Sequence, residues 1–546
     1  MCLPSVKMNW KLQIFVFLFF NVTICSSKLI VKTEWGSIRG FYEKFGDKQI
    51  RSFLGIPYAL PPVGPLRFRK PIELVKPFKG IYRAKNFGPA CLQSEVFRDA
   101  HTPNSTISEN CLFLNVWTPV DVSKKKLYPV LIYIHGAAFT FGSAESTSQR
   151  GDILTALNDI ITVNLNHRLG ASGLAYAESD AIVGNQQLHD IIMALKWVKR
   201  NIGAFGGDPN QITLSGMSSG AILASAIFLS PAVESGLFNK VFLMSGVSID
   251  QVNTYNPKKI LKQTKSLSSS LGCSHYSSSN DSFQIGEIKC LKKVKAKSIA
   301  DTLENVLFYP IYNDGNIFPE SPVQIVNKKS FPKGLKFLIG TEADESFFTK
   351  AFNPTTKEEA LSNMETLISA LDVTQLNMTD LFMKYFDGVD DNNATLIRKR
   401  FDEIGSDLQF HCPSLLYSAA FASNSYNNVH IFRNDYVTSK YNRSERPNGA
   451  RHGDVQRIFF GDPFRSPENF PDDRDRELSR FMMKTLSDFV RGKELFWGSI
   501  KINGNHSDNI SLPRWRIQNN EQFDKVDYDE DTDLCLEWAK YFNLQI

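Results

Sequence analysis

One short stretch, Gln211 to Phe228, constrains the fold of this chain more than any other. It opens as an apolar strand, turns sharply through Gly216-Met217-Ser218-Ser219-Gly220 and continues as a helix-like run from Ala221 to Leu229. A serine at the apex of such a strand-to-helix turn must take a strained backbone conformation. The positions two before and two after it must then be tiny, so that strand and helix can pass each other. The apex also sits at a helix N-terminus, where free N–H groups and the helix dipole favour developing negative charge. Ser218 is therefore a candidate nucleophile. The plain alternative, a Gly/Ser turn with no chemistry, is displaced only if the chain also supplies a base, an acid and an anion site.

Around this turn, apolar strands alternate with helices. Val130 to Ile134 reads as a buried strand, Ile160 to Asn164 as another, and Val241 to Met244 and Lys336 to Gly340 follow. Between Gln186 and Ile202, apolar residues recur at helical spacing, and Gly203 is placed to end that helix. Late in the chain Leu478, Phe481, Met482 and Phe489 mark an amphipathic helix closed by Gly492. The pattern predicts an α/β fold with a large, mostly parallel central sheet covered by helices on both faces. A Pro-rich passage from Gly55 to Phe68 reads as an ordered loop, and the serines at 266 to 270 and 277 to 279 as a surface loop. No linker divides residues 28 to 546, which are expected to form one domain.

Composition narrows the function classes. A net charge of +5 spread over 546 residues gives no basic face for nucleic acid. Lys7 and Lys11 precede an apolar run from Ile14 to Phe20 and the small residues Cys25, Ser26 and Ser27. Residues 1 to 27 thus read as a secretory signal peptide, with cleavage after Cys25 or Ser27, and the mature chain as secreted without a transmembrane segment. The C-terminal residues carry neither a retention signal nor a lipid-anchor tail. Six cysteines remain: Cys91, Cys111, Cys273, Cys290, Cys412 and Cys535. None forms a Cys-x-x-Cys ligand pair, and an even number in an oxidising compartment suggests three disulfides. Proximity in sequence favours Cys91–Cys111 and Cys273–Cys290, leaving Cys412–Cys535. Glycosylation sequons fall at Asn104, Asn280, Asn377, Asn393, Asn442, Asn505 and Asn509.

A serine hydroxyl needs a base, and the base needs an orienting acid. In α/β-hydrolase order both follow the serine. Of the later histidines, His275 lies too early to leave room for an acid, His411 abuts Cys412 and His506 lies inside a sequon. His430 alternates within an apolar strand. His452 sits in Gly449-Ala450-Arg451-His452-Gly453-Asp454, a loop able to swing an imidazole into a cleft. The acid is expected in the loop after Phe337 to Gly340, where Glu342, Asp344 and Glu345 all qualify and two would be solvated surface charges. Oxyanion donors are expected from the N–H of Ser219 and from His135-Gly136-Ala137-Ala138-Phe139, at Ala137 and Ala138.

These residues resemble the type-B carboxylesterase (carboxylesterase/cholinesterase) family over essentially all of residues 28 to 546. The resemblance rests on Phe53-Leu54-Gly55-Ile56-Pro57-Tyr58-Ala59, Glu109-Asn110-Cys111-Leu112-Phe113-Leu114-Asn115-Val116, Asn166-His167-Arg168-Leu169-Gly170 and Phe205-Gly206-Gly207-Asp208-Pro209. It implies an α/β-hydrolase fold, a serine esterase acting on a small-molecule ester without metal or organic cofactor, and a Ser-Glu-His triad that selects Glu345 and His452. It also implies the three disulfide pairings above. Some members of the family are non-enzymatic adhesion or scavenging proteins, the alternative reading. Departures from the family pattern are equally informative. Gly-Gly-Gly is here Gly136-Ala137-Ala138, which can serve provided the positions do not require φ > 0. Gly-Glu-Ser-Ala-Gly has Met217 in place of Glu and Ser219 in place of Ala. The missing anion at Met217, with no Trp between Cys91 and Cys111, argues against a cationic substrate. Branch-level cues resemble insect carboxylesterases, with Asp190-Ile191 replacing the usual Asp-Gln.

Overall fold

In a computed structural model of the chain, the described residues are 29–545 apart from 96–104, 122–125, 250–255, 275–281, 303–307, 313, 347–348, 372–378, 424–426, 503–509, 512, 520–522 and 529–531. The signal-peptide reading of 1 to 27 lies outside them. So do His275, His506 and the sequons at Asn104, Asn280, Asn377, Asn505 and Asn509. Asn393 and Asn442 are exposed.

An 11-stranded sheet organises the molecule. Its strands in chain order are β1 (Phe41–Phe45), β2 (Lys48–Pro57), β3 (Phe113–Pro119), β4 (Tyr128–Ile134), β5 (Ile161–Leu165) and β6 (Gly207–Met217). They continue as β7 (Lys240–Met244), β8 (Lys336–Glu342), β9 (Asn428–Asn434), β10 (Pro513–Ile517) and β11 (Val526–Tyr528). Across the sheet the order is β11-β10-β9-β8-β7-β6-β4-β5-β3-β2-β1. The run from β10 to β5 is parallel throughout, and the pairings at both margins are antiparallel. The expected α/β-hydrolase architecture, a mostly parallel sheet with helices on both faces, is what the chain forms.

The side-chain period of two explains why both faces are covered. Along β4, Val130, Ile132 and Ile134 enter one apolar cluster with Val241, Leu243, Phe337 and Ile339. The alternate residues Leu131 and Tyr133 enter a second cluster with Phe242, Met244, Leu338 and Phe432. The first cluster is closed by helices α1 (Gln186–Asn201), α2 (Ser219–Leu229) and α3 (Cys412–Ala422), the second by α4 (Asp454–Phe459) and α5 (Asp473–Val490). Helix α2 is apolar around its whole circumference and every one of its residues is buried, as such a helix requires.

Two sequence expectations change. Helix α1 does not stop at Gly203: it tightens into a 3-10 turn over Ile202–Phe205, and Gly206, at φ 92°, supplies the left-handed cap. The serines at 266 to 270 are helical, lying within Pro257–Ser270, where Ser268 is buried; helix periodicity overrides the bias of serine toward loops. The disulfides are Cys91–Cys111, Cys273–Cys290 and Cys412–Cys535. Among the described residues no helix is long and apolar enough to cross a membrane.

A buried ion pair fixes α1 to the sheet. Arg168, in the loop after β5, donates from Nε and Nη2 to the two carboxylate oxygens of Asp190 at 2.8 and 2.7 Å, and its backbone N–H adds a third bond at 3.1 Å. Asp190, read from sequence only beside the departure at Ile191, is thus the anchor of this segment. Burial raises its pKa, opposed by Arg168. Asp190→Ala strands the guanidinium and is expected to cost roughly 3–5 kcal/mol, read as a lowered guanidinium midpoint at pH 7.

Candidate active site

Ser218 lies between β6 and α2 with φ 56° and ψ −131°, a strained conformation for a residue with a side chain. The strain is held from two sides. Its N–H donates to Met244 O on β7 at 2.8 Å, and its carbonyl accepts from Ala221 and Ile222 N–H at 2.9 and 3.0 Å. The flanking glycines are required by close approach. A Cβ on Gly216 would stand 2.3 Å from Gly220 O, and one on Gly220 would stand 2.3 Å from Ile134 O on β4.

His452 bridges to the serine and to the carboxylate. Its Nε2 lies 2.8 Å from Ser218 Oγ, and its Nδ1 lies 2.6 Å from Glu345 Oε2. The acid and histidine loops are stitched together through their backbones. Asp344 N–H donates to Ala450 O at 2.8 Å, and His452 N–H donates to Asp344 O at 3.1 Å. The other oxygen of Glu345 accepts the Glu342 N–H at 2.8 Å, while the Glu345 N–H donates to Ser406 Oγ at 3.0 Å. Behind the imidazole stands the ring of Phe410, 4.6 Å away between centroids. Phe410 belongs to a π-helical turn, Asp407–His411, a form that recurs at functional sites. Ser406 and Phe410 had no signal in the sequence, since their helix period shows burial and not the neighbour.

Of the three candidate acids, Glu345 is the one whose carboxylate meets the His452 imidazole. The expectation that the other two are solvated is corrected: Glu342 is fully buried and Asp344 nearly so. Glu342 accepts from Val455 N–H at 2.7 Å and Asn434 Nδ2 at 2.6 Å, pinning the start of α4 just past His452. Burial, then the charges of Asp454 and Glu345, raise its pKa well above the ordinary carboxyl range. Asp344 pairs with Lys350 Nζ at 2.9 Å. The rejected histidines sit elsewhere: His411 is 3.3 Å from Asp407, and His430 packs edge-on to Trp497 within β9.

The loop after β4 runs against the serine. A Cβ on Gly136 would stand 2.4 Å from Met217 O, so the loop is in backbone contact with the turn. Ala137, Ala138 and Phe139 have φ of 82°, 50° and 61°. The condition under which alanine serves here without strain is therefore not met: three successive residues with side chains sit in left-handed backbone. The N–H groups of Ala137 and Ala138 donate no hydrogen bond among the described residues. The Ser219 N–H is a first-turn helix donor, which lacks an intrahelical acceptor.

Beneath this loop His135 and His167 stack, with centroids 4.2 Å apart and planes inclined by 13°. Burial lowers His135 to about 4, while burial and then its neighbour hold His167 well below the ordinary range. Neither role was visible in the sequence, where both residues stood in motifs read for their neighbours. A lowered imidazole pKa means that the unfolded chain takes up a proton near pH 6.5 that folded His135 refuses until about pH 4. Stability contributed by the neutral ring is intact above the unfolded value and is lost as pH falls through this window. Buried carboxyls such as Glu342 act in the opposite sense, so the comparison must be with a variant. The urea midpoint of His135→Gln is expected to fall less steeply between pH 6.5 and 4 than that of the parent chain.

A cavity of about 410 Å³ opens beside His452, bordered by Gly136, Ala137, Met217, Gly453 and Tyr441. Its rim carries Lys350, Arg446, Arg451 and Arg457 with Asp344 and Asp454. Both aspartates are ion-paired, to Lys350 and Arg446 respectively. The face of Tyr441 is covered by the Arg446 guanidinium 3.4 Å away.

The chain matches the carboxylesterase family model over residues 27–534. It is 31% identical over 543 residues to acetylcholinesterase-1 of Trittame loki, covering 94% of this chain and 95% of that one. It is 30% identical over 503 residues to mouse carboxylesterase 3B, covering 87% and 85%. To the acetylcholinesterase of Bungarus fasciatus it is 31% identical over 492 residues, covering 85% and 78%. With the fold, the turn around Ser218 and a family match along almost the whole length, the chain belongs to the carboxylesterase family.

Proposed function

We propose that this protein is a secreted serine carboxylesterase that hydrolyses uncharged carboxylic esters through an acyl-enzyme. One observation carries the reading: the unbroken line from Ser218 Oγ through His452 to the buried Glu345, at 2.8 and 2.6 Å. His452 takes the hydroxyl proton as Ser218 attacks the ester carbonyl, then returns it to the departing alcohol. It next deprotonates a water that releases the acid. Glu345 holds the ring with Nε2 toward the serine and stabilises the imidazolium. The N–H groups of Ala137, Ala138 and Ser219 receive the oxyanion, each such donor being worth roughly 100- to 1000-fold in rate. The family's non-enzymatic reading is disfavoured by the same line of contacts, since a binding protein has no need of an aligned base and acid.

Relatives named as carboxylesterases and as acetylcholinesterases are equally similar, so the substrate class is argued from the cavity. A quaternary ammonium group needs an open aromatic face or a free anion. Here Met217 is neutral, both rim aspartates are paired, and Arg446 already covers Tyr441. The three disulfides fit an oxidising compartment and support secretion.

Ser218→Ala is expected to abolish hydrolysis of a p-nitrophenyl ester in a folded protein, and Glu345→Gln to lower kcat roughly ten-thousandfold. Undiminished turnover by either variant contradicts these roles. For the leaving group, kcat/KM for a choline ester is expected not to exceed that for its neutral 3,3-dimethylbutyl counterpart; a preference for the choline ester of about tenfold or more, some 1.4 kcal/mol, would point to a cation site.

A further inference from the structure

We infer that the Ser219 hydroxyl is a positioning group: it clamps the left-handed oxyanion loop against the turn that carries the nucleophile. This rests on the esterase reading and adds to it a residue whose side chain acts through the loop.

Ala137 and Ala138 stand in the loop and Ser219 in the turn, the positions singled out in the sequence as departures from the resemblance. In the fold these departures meet. Ser219 Oγ accepts the Phe139 N–H at 3.1 Å, directly after the two alanines. Ser219 and Phe139 are 2% and 1% exposed, so water does not compete for the bond.

The bond answers a problem that the loop creates. Glycine holds φ > 0 without penalty, whereas Ala137, Ala138 and Phe139 each resist it. Left to themselves, these residues would relax toward negative φ, rotating the peptide groups whose N–H must face the oxyanion. The loop is tied on its outgoing side, where Thr140 and Phe141 N–H donate to Ala137 O and Gly170 N–H donates to Phe139 O at 2.8 Å. Those ties fix it to itself and to the segment after β5. The Ser219 bond fixes it to the turn, and so sets the distance between the loop donors and the nucleophile one residue away. The bond uses only the side-chain oxygen, and the Ser219 N–H, a first-turn donor without an intrahelical acceptor, faces the substrate. One residue then supplies a donor through its backbone and aligns two more through its hydroxyl.

Alanine at 219 would leave the buried Phe139 N–H without a partner and the strained loop without its tie. Ser219→Ala is expected to lower kcat about 10- to 100-fold, the scale of a loss of alignment near 1 Å, with KM changed less than about threefold. Binding of a trifluoromethyl ketone, whose tetrahedral adduct carries the oxyanion, should weaken by a similar factor. The discriminating readout is rescue: Ala137→Gly with Ala138→Gly should restore most of the kcat lost in the Ser219→Ala background, since glycine holds the left-handed backbone untied. A purely structural role would lower the melting temperature and the fraction of active sites, but not kcat per site counted by the acyl burst. Ser219→Cys, similar in size and a poorer acceptor, should show an intermediate loss, and it carries the test if the alanine variant does not fold. Unchanged kcat per site in Ser219→Ala, or a loss that the glycines do not rescue, overturns the clamp. Absence of any p-nitrophenyl ester hydrolysis by the parent chain, or undiminished hydrolysis by Ser218→Ala, overturns instead the esterase reading beneath it.

Discussion

The rest of this structure depends on the backbone of Ser218, held at φ 56° and ψ −131° by bonds from β7 and α2. A serine in relaxed backbone at the end of a strand would lie along the sheet or point into a helix. The strained turn lifts its hydroxyl clear of both. That geometry is possible only because Gly216 and Gly220 let β6, α2 and β4 pass at distances a side chain would forbid. The strain is balanced by the packing of α2, which is buried on every side, and by parallel strands on either side of β6. Local strain is here held by the order of the elements around it.

The polar groups around this point form a continuous layer. Glu345 and His452 come from loops leaving β8 and β9, and these loops are joined to each other by backbone bonds. Glu342 ties the start of the following helix to the same unit. The stacked His135 and His167 support the opposite loop as neutral rings. Few of these groups could be changed singly without leaving a buried donor or acceptor unpaired, which makes the site rigid in the way that proton transfer between fixed partners requires.

Much of this was legible in the sequence, and the reason differs by element. The turn was readable because its glycines are demanded by contacts within a few residues. The strands were readable because β4, β7 and β8 are buried on both faces and spell continuous apolar runs. His452 was readable by its flanking glycines. Glu345 was not separable from Glu342 and Asp344 by spacing, because all three leave the same strand end and only the fold decides which one faces the imidazole. The burial of Glu342 and Asp344 was missed for the same reason: charge in a loop suggests solvent, and their partners Val455, Asn434 and Lys350 come from other segments. Gly203 was misplaced as a helix end because a 3-10 turn carried the chain on to Gly206. The left-handed run of Ala137 to Phe139 contradicts what alanine suggests locally, and its explanation lies 80 residues away in Ser219.

The central claim is that Ser218 is a nucleophile activated by His452. Its most direct test is to treat the folded protein with a phosphonofluoridate and locate the adduct by peptide mass spectrometry. The account predicts a single stoichiometric adduct on Ser218, formed at a rate that collapses in His452→Ala. An adduct on another residue, or labelling of Ser218 unaffected by loss of His452, would contradict it.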